Sequence, residues 1–211
     1  NRPQWYTVTG RSRTYVKKVL EKISGEVFKN YKVNSVNRNE NNVRIKIEDD
    51  YLDYDHVVLA SHADQSLKML DNPTEEEKRI LSKFKYVSNE AILHSDERFM
   101  PKKKLAWSSW NSISSGSQTC VTYWLNNLQN LKCDQNFFLT LNPISEINKK
   151  NIIKNINFTH PYFNSETLKY QKSLLSLQGK KRTWYCGSYF SYGFHEDGIK
   201  SAINLIENFK I

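Results

Sequence analysis

Glycine is scarce in this chain, and its placement limits the fold more than any other feature. Seven glycines occur in 211 residues, and three of them, Gly187, Gly193 and Gly198, crowd into one short stretch. That stretch follows the apolar run Trp184-Tyr185-Cys186 and precedes Ile199, Ala202, Ile203, Ile206 and Phe209, which recur at helical spacing. A glycine between a buried strand and a helix lets backbone approach a ligand closely, while the helix start offers free amides and a positive dipole end. The same pattern also serves an ordinary strand-to-helix turn. Spacing alone leaves both readings open.

The remaining elements are read from periodicity. Residues 12–23 place Tyr15, Val16, Val19, Leu20 and Ile23 on one helical face, with Gly25 as a stop. Three β-like runs follow at 27–36, 43–47 and 56–60, the first two separated by a polar turn over 37–42. The run at 56–60 is apolar without alternation, as in a strand covered on both faces. Thr74 and Glu77 have capping-box spacing, so a helix opens there with Ile80, Leu81 and Phe84 on its buried side. Between 86 and 141 the chain becomes aromatic and β-rich, with strands predicted at 91–94, 104–110, 119–125 and 137–141. A helix over 166–178, a strand over 183–186 and a final helix complete the chain. The expected architecture is α/β plus α+β: a partial Rossmann-type layer with an inserted antiparallel or mixed-sheet region. Its boundaries are expected to set residues 1–65 and 180–211 apart from 66–179.

Composition excludes several classes. Hydrophobic residues make up 38% and charged residues 25%, which describes a folded chain, not a disordered tail or a collagen-like array. No apolar run approaches the roughly 18 residues of a membrane span. Cys120, Cys133 and Cys186 are odd in number and form no C-x-x-C. His56, His62, His94, His160 and His195 have no metal-ligand spacing. Reduced thiols in a cytoplasmic protein without a bound metal are therefore expected. The net charge of +9 would suit an anionic partner, but the 31 cations are spread along the chain. Such spreading argues against nucleic acid, whose footprints cluster. The run Lys102-Lys103-Lys104 could touch lipid headgroups, giving a peripheral membrane contact, though a solvated loop is the simpler expectation. The start, Asn1-Arg2-Pro3-Gln4-Trp5, has neither initiator Met nor signal peptide and reads as a cut inside a longer protein.

The segment from Tyr185 to Ile199 resembles the C-terminal flavin-binding motif of the FAD-dependent amine oxidase and protoporphyrinogen oxidase superfamily. More narrowly, the chain is similar to the latter half of bacterial predicted NAD/FAD-binding, amine-oxidase-like proteins. The resemblance is carried by Arg2-Pro3-Gln4-Trp5, by residues 54–60, by Leu93-His94-Ser95-Asp96 with Met100-Pro101, and by Ala106-Trp107-Ser108-Ser109-Trp110-Asn111. It continues through Val121-Thr122-Tyr123-Trp124, Thr140-Leu141-Asn142-Pro143, His160-Pro161 and Gly193-Phe194-His195-Glu196-Asp197-Gly198.

The resemblance implies hydride transfer from a substrate carbon to FAD, with oxygen or another acceptor reoxidising the flavin. It places Val33 against the adenine, Ala60 and Ser61 on a strand-end loop near the cofactor, and Gly187 at the close approach. Ser188 stands where many members carry an acid. Gly193, Phe194, His195, Asp197 and Gly198 are expected along the isoalloxazine and pyrophosphate, as a loop opening the final helix. Trp110, Asn111, Tyr123, Trp124, His160 and Tyr192 are candidates for lining the substrate cavity; core packing is the plain alternative for each. No two glycines here are two residues apart, so the G-x-G-x-x-G fingerprint is absent. A missing N-terminal FAD-binding half is the implied partner, and the chain alone is expected to hold FAD weakly or not at all. A lipid or acyl substrate is preferred to a polyamine, because carboxylates are few between 86 and 162. The competing class is a non-enzymatic, basic α+β binding module for an anionic partner.

Overall fold

The computed structural model describes residues 4, 6–116 and 118–209. The resemblance drawn at Arg2, Pro3 and Trp5 therefore lies outside the described residues. In chain order the elements are α1 (Ser12–Leu20), β1 (Val33–Arg38), β2 (Val43–Ile47), β3 (Asp50–Tyr54), β4 (Val57–Leu59), α2 (Ala63–Met69) and α3 (Glu75–Leu81). There follow β5 (Lys85–His94), β6 (Trp110–Ser115), β7 (Gln118–Trp124), α4 (Leu125–Leu128), β8 (Phe138–Leu141) and β9 (Ile152–Tyr162). The chain closes with α5 (Ser165–Gln171), β10 (Thr183–Tyr185) and α6 (His195–Asn208). The fold is a mixture of helices and mainly antiparallel sheets. It forms two compact units, Asn1–Val27 with Ser88–Thr159, and Phe28–Val87 with His160–Ile211. The boundaries expected near 65 and 180 lie inside the second unit.

In the first unit a five-stranded sheet runs in the order β6-β7-β8-β5-β9. Its register sets Trp110, Tyr123, Leu139 and Leu93 side by side across four strands. Directly opposed residues share a face, so the next row, Asn111, Thr122, Thr140 and Ile92, lies on the other. This second face is the buried one. Ile92, Phe99, Cys120 and Ile147 form its apolar core. Beside them His94 Nε2 meets the Thr140 hydroxyl at 2.8 Å, and Thr140 meets Thr122 at 2.8 Å.

The second unit holds two sheets. β1, β2 and β3 form an antiparallel meander whose first turn is fixed by Asn39, its side-chain oxygen accepting from the amides of Asn41 and Asn42 at 2.7 and 2.8 Å. β4 and β10 form a separate parallel pair. The pair continues past β10 through the Cys186 amide, which donates to the Leu59 carbonyl at 3.2 Å. Backbone groups alternate in direction along a strand, so Tyr185 faces away from β4. There the Gln178 side chain takes both of its groups, accepting from the Tyr185 amide at 2.9 Å and donating to its carbonyl at 2.8 Å. The Gly179 amide takes the Thr183 carbonyl at 2.9 Å. The outer edge of β10 is thus closed. Among the described residues no strand pairs with the outer edge of β4.

A buried ion pair ties this unit together. Arg38 on β1 makes two bonds to the Glu77 carboxylate, at 2.6 and 3.0 Å, and donates to the Thr183 hydroxyl at 3.2 Å. The Tyr185 hydroxyl donates to Glu77 at 2.6 Å. Glu77 also completes the expected capping box, accepting from the Thr74 amide at 2.7 Å while the Thr74 hydroxyl accepts from the Glu77 amide at 3.1 Å. One carboxylate therefore joins β1, α3 and β10. Val36, Val43, Leu59, Ile80, Leu81 and Phe84 pack around it.

Several expectations shift. α1 ends at Leu20 and buries no residue. The strand expected over 27–36 begins only at Val33, and the stretch 104–110 is a turn followed by the start of β6. β3, α2 and β9 were not foreseen. A Rossmann layer is not established: among the described residues the parallel strand pairing is that of β4 with β10, beside one isolated parallel bridge between Val36 and Leu70. Among the described residues no helix is long and apolar enough to cross a membrane, and no cluster of His, Cys, Asp or Glu is arranged to hold a metal ion.

Candidate functional site

The strongest site geometry lies at the carboxyl ends of β4 and β10. Because the strands are parallel and paired through Leu59 and Tyr185, the loops that follow them, Ala60-Ser61 and Cys186-Gly187-Ser188, leave the sheet side by side. In open α/β sheets, ligands bind outside the carboxyl ends of parallel strands. Gly187 sits at φ 154°, and a Cβ there would lie 2.7 Å from the Tyr189 ring. Its amide donates to Ser201 Oγ at 2.8 Å, and Ser201 donates to the Gly198 carbonyl at 2.7 Å. That chain of bonds fixes α6 against the loop. A Cβ on Gly198 would find only the Ser188 amide nitrogen, at 3.8 Å.

Val33, Ala60 and Ser61 line one cavity of about 740 Å³. Its walls are apolar, from Val36, Ile45, Val57, Leu59 and Met69, with Lys32 and Lys68 among the lining residues. Such a volume and lining fall within the range of small-molecule sites. Val33 stands beside a bulge in β1, and Asn34, within the bulge, accepts from the Glu48 amide at 2.8 Å. The Ser61 hydroxyl is already engaged, 2.9 Å from Ser66 Oγ. Lys32, Gln65 and Lys68 were missed by sequence reasoning. Lys32 immediately precedes the expected adenine residue, which was the available signal.

The glycine loop is shorter than its sequence suggests. α6 begins at His195, so Gly198 lies inside the helix, whereas Gly193 is a true turn residue at φ 92° packed against Phe163 and Pro161. The Asp197 carboxylate accepts from the Tyr192 and Phe194 amides at 3.2 and 3.0 Å, placing an acid of the protein's own at the positive end of the helix. Phe194 and His195 are exposed. Tyr192 and Asp197 line a second cavity of about 610 Å³ with Gln171, Lys172 and Lys200. Of the residues expected around the cofactor, Val33, Ala60 and Ser61 line the first cavity and Asp197 the second, while Gly187, Ser188, Gly193, Phe194, His195 and Gly198 line neither.

The substrate-lining candidates also separate. Trp110 and Tyr123 share the open face of the five-stranded sheet, their rings 5.5 Å apart and edge-to-face. Asn111 and Trp124 lie on the opposite face and have structural duties. Asn111 is buried, donating to the Ser108 carbonyl at 2.6 Å and accepting from the Ser108 amide at 3.1 Å. The Trp124 indole donates to Asn136 at 2.9 Å and packs edge-to-face on Trp107. His160 and Tyr192 belong to the second unit, and both are exposed.

No protein-family model matches the chain, and no curated protein matches it in sequence. Solved structures do match. A CLA-producing fatty acid isomerase from P. acnes is 14% identical with a TM-score of 0.69, over 95% of this chain and 52% of its own. A protein from Exiguobacterium sp. 255-15 named as a protoporphyrinogen oxidase is 12% identical with a TM-score of 0.66, over 95% and 51%. Putrescine oxidase bound to putrescine is 12% identical with a TM-score of 0.64, over 94% and 53%. The chain shares its fold with about half of each of these proteins. It spans about half the length of the solved structures that it matches.

Whether the residues fit FAD is decided at the strand ends. At Gly187 the space a side chain would need is taken by the protein's own Tyr189 ring, so the room for a ligand is the apolar cavity at Val33, Ala60 and Ser61 with its two cations. That part fits. The 211 residues contain no G-x-G-x-x-G stretch to receive a pyrophosphate.

Proposed function

We propose that this chain is the C-terminal portion of an FAD-dependent oxidoreductase that removes hydride from a carbon of a lipid or acyl substrate. The observation that carries the reading is the parallel pair β4–β10, whose two loops emerge together beside the apolar cavity. The half-length match and the free edge of β4 support a partner half bearing strand, G-x-G-x-x-G and helix. When bound, the flavin supplies a two-electron acceptor for the hydride.

The chain's own residues hold and orient. Val33 offers an apolar wall to the adenine, Ala60 and Ser61 border the ribose side, and Gly187 with Ser188 gives backbone close to the flavin chain. Ser201 holds the Gly187 amide in place, and Asp197 fixes the turn that carries Gly193 and Phe194. Tyr192 and His195 border the ring side of this loop.

The test is reconstitution. The chain, joined to a half that supplies the glycine fingerprint, is purified and its visible flavin absorption measured. Stoichiometric flavin is expected. A well-folded whole that never retains flavin overturns the reading.

A further inference from the structure

A groove of about 470 Å³ in the first unit combines two features that the proposed function does not use. Its walls are Leu93, Leu125, Leu131, Phe137 and Ile153, and it is also lined by Arg11 and Lys132, with no carboxylate in the lining. Neither cation is in an ion pair with a described residue. The groove is continuous with the open face of the sheet, because Leu93 begins the row that runs through Leu139 and Tyr123 to Trp110. Three inter-strand spacings make this apolar row about 14 Å long. Leu93, Leu139 and Tyr123 are half-buried, and Trp110 is 65% exposed.

An apolar track ending at two cations that no described carboxylate pairs selects a ligand that is itself apolar along its length and anionic at one end. We propose that the groove binds a free fatty acid, its chain on the Leu93–Trp110 row and its carboxylate between Arg11 and Lys132. Arg and Lys donate charge-assisted bonds to a carboxylate, and neither cation has to be desolvated without compensation. A polyamine is disfavoured by the same charges. The inference deepens the reading of the chain as part of a lipid-oxidising enzyme and rests on it for the use of the site, while the site itself rests on the groove.

The test uses the 211-residue protein with dodecanoate, decanoate, dodecanol and dodecylamine, read by calorimetry and by tryptophan fluorescence, with Trp110→Phe to assign the signal. Dodecanoate is expected to bind as a monomer, and decanoate several-fold more weakly because fewer methylenes are buried. Dodecanol and dodecylamine are expected to bind at least about tenfold more weakly, and Arg11→Gln with Lys132→Gln to remove that preference. Both substitutions are on exposed side chains, so folding is retained. Equal binding of dodecanol, no change in the double variant, or no binding of dodecanoate overturns the proposal. So does a dimer in sedimentation that dodecanoate leaves intact, since a second copy then covers the face. Flavin retention is scored separately, on the reconstituted whole: dodecanoate binding by the 211-residue protein, with a well-folded whole that never takes flavin, leaves the groove standing and removes the enzyme reading.

Discussion

Replacing Glu77 by Gln tests the core of the second unit. Burial pushes the Glu77 carboxyl up, but bonds from Arg38, Tyr185 and the Thr74 amide, with the charge of Arg38, more than offset this and hold it at about 2 against an ordinary 4.5. A group depressed by that much contributes roughly 3 kcal/mol of stability. The contribution is complete above pH 4.5 and is lost as pH falls towards 2. Independently, removing one partner of a buried ion pair costs about 3–5 kcal/mol, because the remaining charge loses its compensation. Glu77→Gln is therefore expected to lower unfolding free energy by about 3 kcal/mol or more at pH 7. Denaturant titrations of both proteins at a series of pH values are the assay. Asp96, held far below the carboxylate range chiefly by its bonds from Arg98, also loses stability in acid. The diagnostic quantity is thus the difference between wild type and variant, which must shrink as the pH drops from 4.5 to 2. A loss below about 1 kcal/mol at pH 7, or a difference that ignores pH, would refute the reasoning. Replacing Arg38 with Met and Glu77 with Leu together should cost far less than either single change.

Gly193→Ala should lower stability by about 1–2 kcal/mol, since φ 92° is strained for alanine and the Cβ would sit 3.0 Å from Phe163. Gly198→Ala should leave the chain as stable or add up to about 1 kcal/mol, while weakening flavin retention in the reconstituted protein; unchanged flavin content would return this glycine to an ordinary helix position. Burial lowers His94 to about 4, so it folds neutral, and stability should fall between pH 6.5 and 4 as the unfolded chain gains a proton. An NMR titration placing His94 near 6.5 would exclude this. Gln178→Ala should expose the Tyr185 amide to rapid hydrogen exchange at a cost of about 1–2 kcal/mol.

Where one face of an element is clearly buried, the sequence pattern was readable. β2 was located by Val43, Ile45 and Ile47, β4 by its uninterrupted apolar run, and α3 by the reciprocal Thr74–Glu77 cap. β3 and β9 are edge strands with few buried positions, so no alternation marked them. β9 even carries Pro161, which only an edge strand tolerates. Arg38 reads as a surface cation until its inward register beside Val36 is known, which depends on the bulge at Asn34. For the site, Gly187 and the strand-end pair Ala60-Ser61 were singled out through the family resemblance, and the structure brings their two loops side by side. The division of Asn111 and Trp124 from Trp110 and Tyr123 was not, although strict alternation along β6 and β7 dictates it.

The amide of Gln178 also governs how copies of this molecule can meet. A strand edge with free backbone groups is an invitation to another chain, and a sheet open on both sides can extend without limit. In the parallel sheet one side is stoppered by Gln178 and Gly179, leaving, among the described residues, the side at Val58 without a strand. Two copies of this chain without the partner half, joined there, would consume both open sides at once. Association through this sheet therefore terminates at a pair and cannot propagate into a fibre.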